Sequence, residues 1–547
     1  MASATATPPG SRRRGPSLAP RVFYPSLAVI GAFVLFAVVA PEAASAGIGA
    51  VQGGIIDTLG WYYVLLIAAF VAFSLWMGFS RYGDIRLGRD DEAPEFGVRS
   101  WFAMLFSAGM GIGLVFWGVA EPLNHYASPR PGFEGGEVAA ARQAMTQTYV
   151  HWGVHAWAIY VVAGLAIAYA VHRRGRPVSI RWALEPLLGD RVKGWLGDLI
   201  DITAIVGTLF GVATSLGFGV AQIAAGLDFT GLVEGGSGSV GLQSLLIVVI
   251  TAVAVASVVS GVGRGIKWLS NVNMGLAGVV LLFVLLAGPT LFLLREFVQN
   301  FGDYLTNVLR LTFDVSAYRG EEGEVWQAAW TTFYWGWWIS WAPFVGVFIA
   351  RISRGRTVRE FVAGVLLVPT LITFLWFSVL GGSALYRELF GGGGLVGEDG
   401  SVGTESSLFT LLDGLPGGSV VMGLVILLIV TFFVTSSDSG SLVVDMLASG
   451  GDIDPPTWSR VMWAVLEGAV AAALLVVGAG GLGALQTAAV ITALPFSLVM
   501  VAMAVATVRA FHREHHARLR REQALHLETV TQHVTTRLSD GAPADRR

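Results

Sequence analysis

The chain has 547 residues, 54% of them hydrophobic and 13% charged, with 35 Lys and Arg against 38 Asp and Glu and no cysteine. This composition excludes an ordinary soluble domain, disulfides and thiolate chemistry, and it gives no reason to invoke nucleic acid. The mean hydropathy of +0.65 is that of an all-α integral membrane protein.

In chain order, residues 1–20 are rich in Pro, Ser and Arg and are expected to be a disordered cytoplasmic tail. Twelve apolar spans follow, near 22–40, 54–79, 100–120, 138–171, 194–228, 242–262, 266–288, 326–350, 357–386, 418–446, 457–479 and 482–508. Several exceed the ~20 residues that cross a bilayer, so tilt or breaks are expected. Arg12–Arg14, the first apolar run and Ala44-Ser45-Ala46 mimic a signal peptide. That run is longer than a usual signal core, so a retained first helix is expected. With the N-terminus inside, all basic residues except Arg130, Arg142, Arg295, Arg310, Arg319 and Arg387 fall on the cytoplasmic side. This bias predicts cytoplasmic N- and C-termini.

The third span reads Gly109-Met110-Gly111-Ile112-Gly113. Glycines at this spacing do not form one helical packing face, and they make the helix easy to unwind. Unwound backbone in a membrane faces protein or a water-filled cavity, where transporters place substrate and ion sites. The fourth span carries Tyr149, Trp152, Trp157 and Tyr160 within an arc of about 140° on a continuous helix. His151 and His155 stand four apart on its other face with no evident third ligand, so no metal site is expected.

Between spans four and five, residues 172–193 predict a short amphipathic surface helix. The stretch 289–325 predicts an extracellular helix, and the glycine-rich 391–405 an external loop.

The eighth span has five tryptophans between Trp330 and Trp341. Membrane tryptophans usually gather at the interfaces. Indoles at mid-bilayer suit a quaternary ammonium, which has no N–H to donate and is held by aromatic faces. Trp330, Phe333, Tyr334, Trp337, Trp341 and Phe344 share a stripe of about 100°, with Trp335 and Trp338 on its flank. Periodicity leaves open whether stripe or flank meets a ligand.

In the tenth span, Thr435-Ser436-Ser437-Asp438-Ser439 offers an oxygen-only environment suited to sodium, although such hydroxyls also bond back to their own helix. Glu467 lies in the middle of the eleventh span, where an ionisable group is costly and a functional candidate. Residues 509–547 are expected to be a basic, partly helical cytoplasmic tail that follows a transporter domain at 21–508. The nucleophile–base pair or metal cluster of an enzyme is not apparent.

Gly109–Gly113 continuing into Trp117-Gly-Val-Ala-Glu121-Pro122, Trp335-Gly-Trp-Trp-Ile-Ser-Trp-Ala-Pro-Phe through Arg351-Ile-Ser-Arg-Gly355, Asn271-Val-Asn-Met274 and Thr435-Ser-Ser-Asp438 resemble the betaine/choline/carnitine transporter family across all twelve spans. The resemblance implies a LeuT-like core of two inverted five-helix repeats, helices 3–7 and 8–12, behind two leading helices, and a homotrimer in the bacterial plasma membrane. It implies sodium-coupled import of glycine betaine or a similar zwitterionic osmolyte. It places Trp152, Trp157, Tyr160 and Trp338 around the trimethylammonium, Trp341 on the cytoplasmic side, and the backbone of Gly109, Met110, Gly111 and Gly113 near the carboxylate. A sodium ion would bind Ser107, Met110, Phe432, Thr435 and Ser436. A second would use Thr208 and Phe344, but Val212 replaces a hydroxyl residue there, which weakens that site or rebuilds it around Thr214 and Ser215. Gly113 favours a zwitterion over choline, and Met274 in place of an arginine favours sodium coupling. Alternatives are ectoine, choline or carnitine carriage, proton coupling or exchange, and an osmolyte-binding sensor that does not transport.

Overall fold

The computed structural model describes residues 18–109, 111–236, 238–260 and 263–540, the side chains of 106, 108–109, 263–267 and 537–540 excepted. Met110 and most of the N-terminal tail lie outside the described residues. The described chain is helical, with two isolated β-bridges. Its main helices are α1 (Pro20–Val39), α2 (Pro41–Phe79), α3 (Val98–Gly109), α4 (Ile112–Ala127), α5 (Glu137–Trp152), α6 (Val154–Ala168), α7 (Trp195–Phe229), α8 (Val240–Ser260) and α9 (Gly263–Ala287). They continue with α10 (Thr290–Thr312), α11 (Gly320–Gln327), α12 (Phe333–Ile352), α13 (Val358–Phe390), α14 (Gly418–Ala448), α15 (Thr457–Val477) and α16 (Gly483–Asp540).

Among the described residues, ten helices are long and apolar enough to cross a bilayer. The third and eighth expected spans are not among them. The third is split into α3 and α4, of 12 and 16 residues. The eighth, α12, is 20 residues long but rich in Trp and Tyr, whose polar ring atoms lower its hydropathy.

The helices sort into centre and periphery. The apolar window of Glu137–Arg173 is 89% buried and that of Trp195–Phe229 is 78% buried, against 22% for Trp268–Ala287 and 33% for Val240–Ser260. The central crossing is α6 on α12, the most extensive helix contact among the described residues. Small residues make it possible: a Cβ on Gly346 would stand 2.8 Å from the Ala163 methyl and 3.2 Å from the Gly164 nitrogen. In a bilayer, where apolar side chains gain little by leaving lipid, such close backbone approach drives packing.

Two connections differ from expectation. Residues 172–193 form two four-residue helices, Ile180–Ala183 and Glu185–Leu188, and a 3₁₀ turn, because Pro186 and Gly189 (φ 57°) interrupt a longer helix. The stretch 289–325 is α10 and most of α11, divided at Ser316 (φ 58°). In the C-terminal tail, expected to be partly helical, α16 continues unbroken from the last span, since no Gly or Pro occurs from Phe496 to Asp540. Its polar extension is tied down where Glu514 pairs with Arg173 and accepts Tyr169 Oη–H at 3.2 Å. Arg173 also holds Asp90 at 2.7 Å, and this hydrogen bond keeps the Asp90 carboxyl below its ordinary range.

Candidate substrate and ion site

Two helix breaks face each other at the centre. The first lies between α3 and α4, where Gly111 is fully extended (φ −164°, ψ −172°) and, as the N-cap, offers no side chain to the first amides of α4. The second interrupts the aromatic helix at Gly153 (φ −92°, ψ −138°), between Trp152 and Val154. A Cβ on Gly153 would lie 2.5 Å from the Tyr149 carbonyl and 2.9 Å from the Phe374 ring, so only glycine fits. Sequence periodicity treated 138–171 as one helix. The break corrects that reading and separates Trp152 from Trp157 and Tyr160.

These breaks frame a cavity of about 30 Å³ lined by Gly111, Gly113, Leu114, Trp152, Ala156, Trp157, Tyr160, Trp337, Trp338, Trp341 and Thr373. All five aromatic residues named from the sequence are among them, with two of the glycines. Trp337 and Trp338 stack at 4.7 Å and 14°, and Trp152 meets Trp338 edge-on at 4.8 Å. Trp157 and Tyr160 meet edge-on at 5.4 Å. Trp338 Nε1–H donates to the His151 carbonyl at 2.9 Å, in the last turn before the Gly153 break. Gly113 leaves room for the rings: a Cβ there would stand 2.7 Å from Trp337 and 3.2 Å from Trp152. Stripe and flank of α12 therefore both reach the cavity, through Trp337 and Trp338. Tyr149 does not; it stacks on Phe374 at 3.8 Å and hydrogen-bonds Ser378 at 2.6 Å. The volume is room for about two waters, so the rings would have to part to admit a larger group. Tyr160 Oη, Trp337 Nε1 and Trp341 Nε1 are buried on its walls without a partner among the described residues.

Directly behind Trp152 lies a polar centre. The fully buried Glu121 carboxylate accepts Trp152 Nε1–H and Tyr334 Oη–H on one oxygen, each at 2.5 Å. Its other oxygen is 2.6 Å from His151 Nδ1 and 3.3 Å from His125 Nε2. His151 Nε2 faces Gln147 at 2.9 Å and Thr331 at 3.1 Å. The ligand atoms of Glu121, His125 and His151 lie within 4.8 Å of one another, a spacing a metal ion could use. In this structure the Glu121 oxygen and the two imidazoles meet at hydrogen-bond distances. His155 is not part of this group; it meets Thr312 at 2.8 Å and stacks on Trp335. Outside the membrane region, Arg130 lies over Trp326, itself against His125, and burial pushes its guanidinium down to about 10.

A second cavity, of about 110 Å³, shares Trp341 with the first. Its lining includes Ser107, Ser270, Asn273, Met274, Phe344, Phe432, Thr435, Ser436 and Ser439. Four of the five residues named for sodium thus border one space, and the fifth is Met110. Thr435 Oγ1 bonds back to the Thr431 and Phe432 carbonyls at 3.0 and 3.2 Å and accepts Asn273 Nδ2–H at 3.0 Å. Of the residues named for a second sodium, Phe344 lines this cavity whereas Thr208 is buried elsewhere, its hydroxyl without a partner. Val212 packs against Gly440, and Thr214 donates to the Phe210 and Leu485 carbonyls at 2.9 and 3.1 Å. Glu467 accepts Ser437 Oγ–H at 2.9 Å on one oxygen, while the other is buried without a partner. Asp438 is ion-paired with Arg460.

A multi-pass helical protein with a buried aromatic cage at two helix breaks, next to an oxygen-lined cavity, has the anatomy of a membrane transporter. The family model of the BCCT, betaine/carnitine/choline family transporters matches residues 21–516. An uncharacterized transporter of Mycobacterium tuberculosis is 56% identical over 91% of this chain and 83% of its own. The glycine betaine transporter OpuD of Bacillus subtilis is 44% identical over 90% and 94%, and glycine betaine transporter 1 of Vibrio parahaemolyticus 42% over 90% and 94%. The chain belongs to the betaine/carnitine/choline transporter family.

Proposed function

We propose that the protein imports glycine betaine, or a zwitterion of the same form, by sodium symport with alternating access. The observation that carries this reading is the convergence of six aromatic rings on a cavity whose floor is the start of α4. A trimethylammonium group is held by ring faces, each desolvated contact worth about 2 kcal/mol. A carboxylate is matched by the uncapped amides at the helix N-terminus and by the unpartnered donors on Trp337, Trp341 and Tyr160. One zwitterion uses both features; a plain cation uses only the first.

The oxygen-lined cavity is the proposed sodium site. Sodium there would order Ser107 on α3 against Thr435 and Ser436 on α14, and Trp341, common to both cavities, would sense both ligands. Each sodium entering down a 100 mV potential supplies about 2.3 kcal/mol. Twelve membrane spans with a LeuT-like core, cytoplasmic termini, a homotrimer and a bacterial plasma membrane belong to the same proposal.

The test is uptake into proteoliposomes of labelled glycine betaine, choline, carnitine and ectoine, with and without a sodium gradient. Saturable betaine uptake that requires the gradient is expected; binding without uptake would make the protein a sensor. A second reading, proton coupling, is favoured by the unpartnered oxygen of buried Glu467. Uptake driven by a proton gradient in sodium-free buffer, and lost in Glu467→Gln, would replace sodium with it.

A further inference from the structure

Glu121 is the only carboxylate among the described residues seen to hydrogen-bond a ring of the cage wall. It sits on α4 about two turns beyond Gly113, and all four of its donors come from aromatic side chains. Two of these, Trp152 and Tyr334, continue into the cage. Trp152 is a wall of the cavity, and Tyr334 stacks on Trp338 at 5.9 Å and 29° while meeting Trp152 edge-on at 5.6 Å. His151 in turn stacks on Tyr334 at 4.7 Å, closing the arrangement from behind.

A carboxylate at this position does two things to the cavity. The hydrogen bond at 2.5 Å fixes the plane of the Trp152 ring, which has two side-chain torsions. It also transfers charge. An indole that donates its N–H to an anion in a medium of low dielectric carries more electron density on its π face, and hydrogen bonds in such chains polarise one another. Attraction between cation and ring is electrostatic, so it strengthens with that density. The carboxylate's own charge, one ring's width behind the wall, adds in the same direction.

We propose that Glu121 is a positioning residue that polarises the Trp152 face of the cage, and so makes the site prefer a quaternary ammonium over an uncharged group of the same shape. This rests on the betaine reading above, and the following experiment separates the two. Equilibrium binding to the purified full-length protein is measured for glycine betaine and for 3,3-dimethylbutanoate, which replaces trimethylammonium with a neutral tert-butyl group and keeps the carboxylate. The wild-type protein is expected to bind betaine the more tightly. Glu121→Gln keeps the size of the side chain and removes its charge. It is expected to weaken betaine binding about three- to tenfold and leave dimethylbutanoate within about twofold, so that the selectivity ratio falls.

Parallel loss of both ligands would mean that Glu121 only holds the structure together and would overturn the proposal, as would an unchanged ratio. Glu121→Asp keeps the charge and withdraws it by one methylene. Its ratio should lie between the other two, and it replaces Glu121→Gln if that variant does not reach the membrane folded; a ratio equal to wild type then overturns the proposal. If the wild-type protein binds no betaine, the functional reading fails, and this proposal with it.

Discussion

The two cavities that meet at Trp341 are built on opposite plans. The cage is close-packed, with rings seated on glycine and one indole fixed by a carboxylate, in about 30 Å³. The oxygen-lined cavity is larger, about 110 Å³, and its best hydroxyl is already engaged with its own helix and with Asn273. On the proposed function, the cage is pre-organised for its ligand and would have to open to receive it. The oxygen cavity is not pre-organised: a sodium ion bound there, as proposed, would have to take oxygens from existing hydrogen bonds and draw α3 and α14 together. A site that forms only when filled is the natural place for coupling, because its ligand shifts a conformational balance and does not merely occupy a mould.

Breaking the cage should have the largest effect. Trp338→Ala removes a ring that stacks on Trp337, meets Trp152 and anchors the His151 carbonyl. Uptake efficiency should fall at least about a hundredfold, since a desolvated cation–π contact and the order of its neighbours go together. Normal uptake with equal protein in the membrane would remove Trp338 from the cage. Gly113→Ala tests the same region from below, because its methyl would stand 2.7 Å from Trp337. An increase of about tenfold in betaine KM is expected at saturating sodium; an unchanged KM would show that the rings yield freely. On the other side, Thr435→Ala with Ser436→Ala should raise the sodium concentration for half-maximal uptake about tenfold and spare betaine KM at saturating sodium. If both constants move together, the two cavities are one site and not two of opposite plan.

How much of this was legible in the sequence follows from local chemistry. Three alternating glycines announced the break before α4, because the residues that cause it are themselves adjacent in the chain. The break at Gly153 was not legible, because a single glycine in an apolar helix is common and what forbids a side chain there is the distant Phe374 ring. Placing Trp152 and Trp338 on cage walls needed the family resemblance, since periodicity alone could not choose between stripe and flank. Trp337 was missed for the same reason. Glu121 stood in the quoted motif, yet the cost of an ionisable group inside a membrane was applied to Glu467 and not to it. Its role is visible only when four donors, one from its own helix and three from two other helices, converge on it.

The smallest expected effect bears most directly on the contrast between a finished cage and an unfinished ion site. Thr435 Oγ1 gives its hydrogen to backbone carbonyls of its own helix, and one of its lone pairs accepts Asn273 Nδ2–H at 3.0 Å. A cation approaching that oxygen competes with the Asn273 amide. A hydrogen bond of this kind contributes about 0.5–1.5 kcal/mol net, a factor of roughly two to ten. Asn273→Ala should therefore lower the sodium concentration for half-maximal uptake by about threefold, a gain in affinity from deleting a polar group. The opposite sign is equally informative. Asn273 lines the cavity and its Oδ1 is buried without a partner. A rise in the sodium requirement would mean that this carbonyl oxygen is itself a ligand, and that the ion site is more nearly assembled than the hydrogen bonds of Thr435 imply.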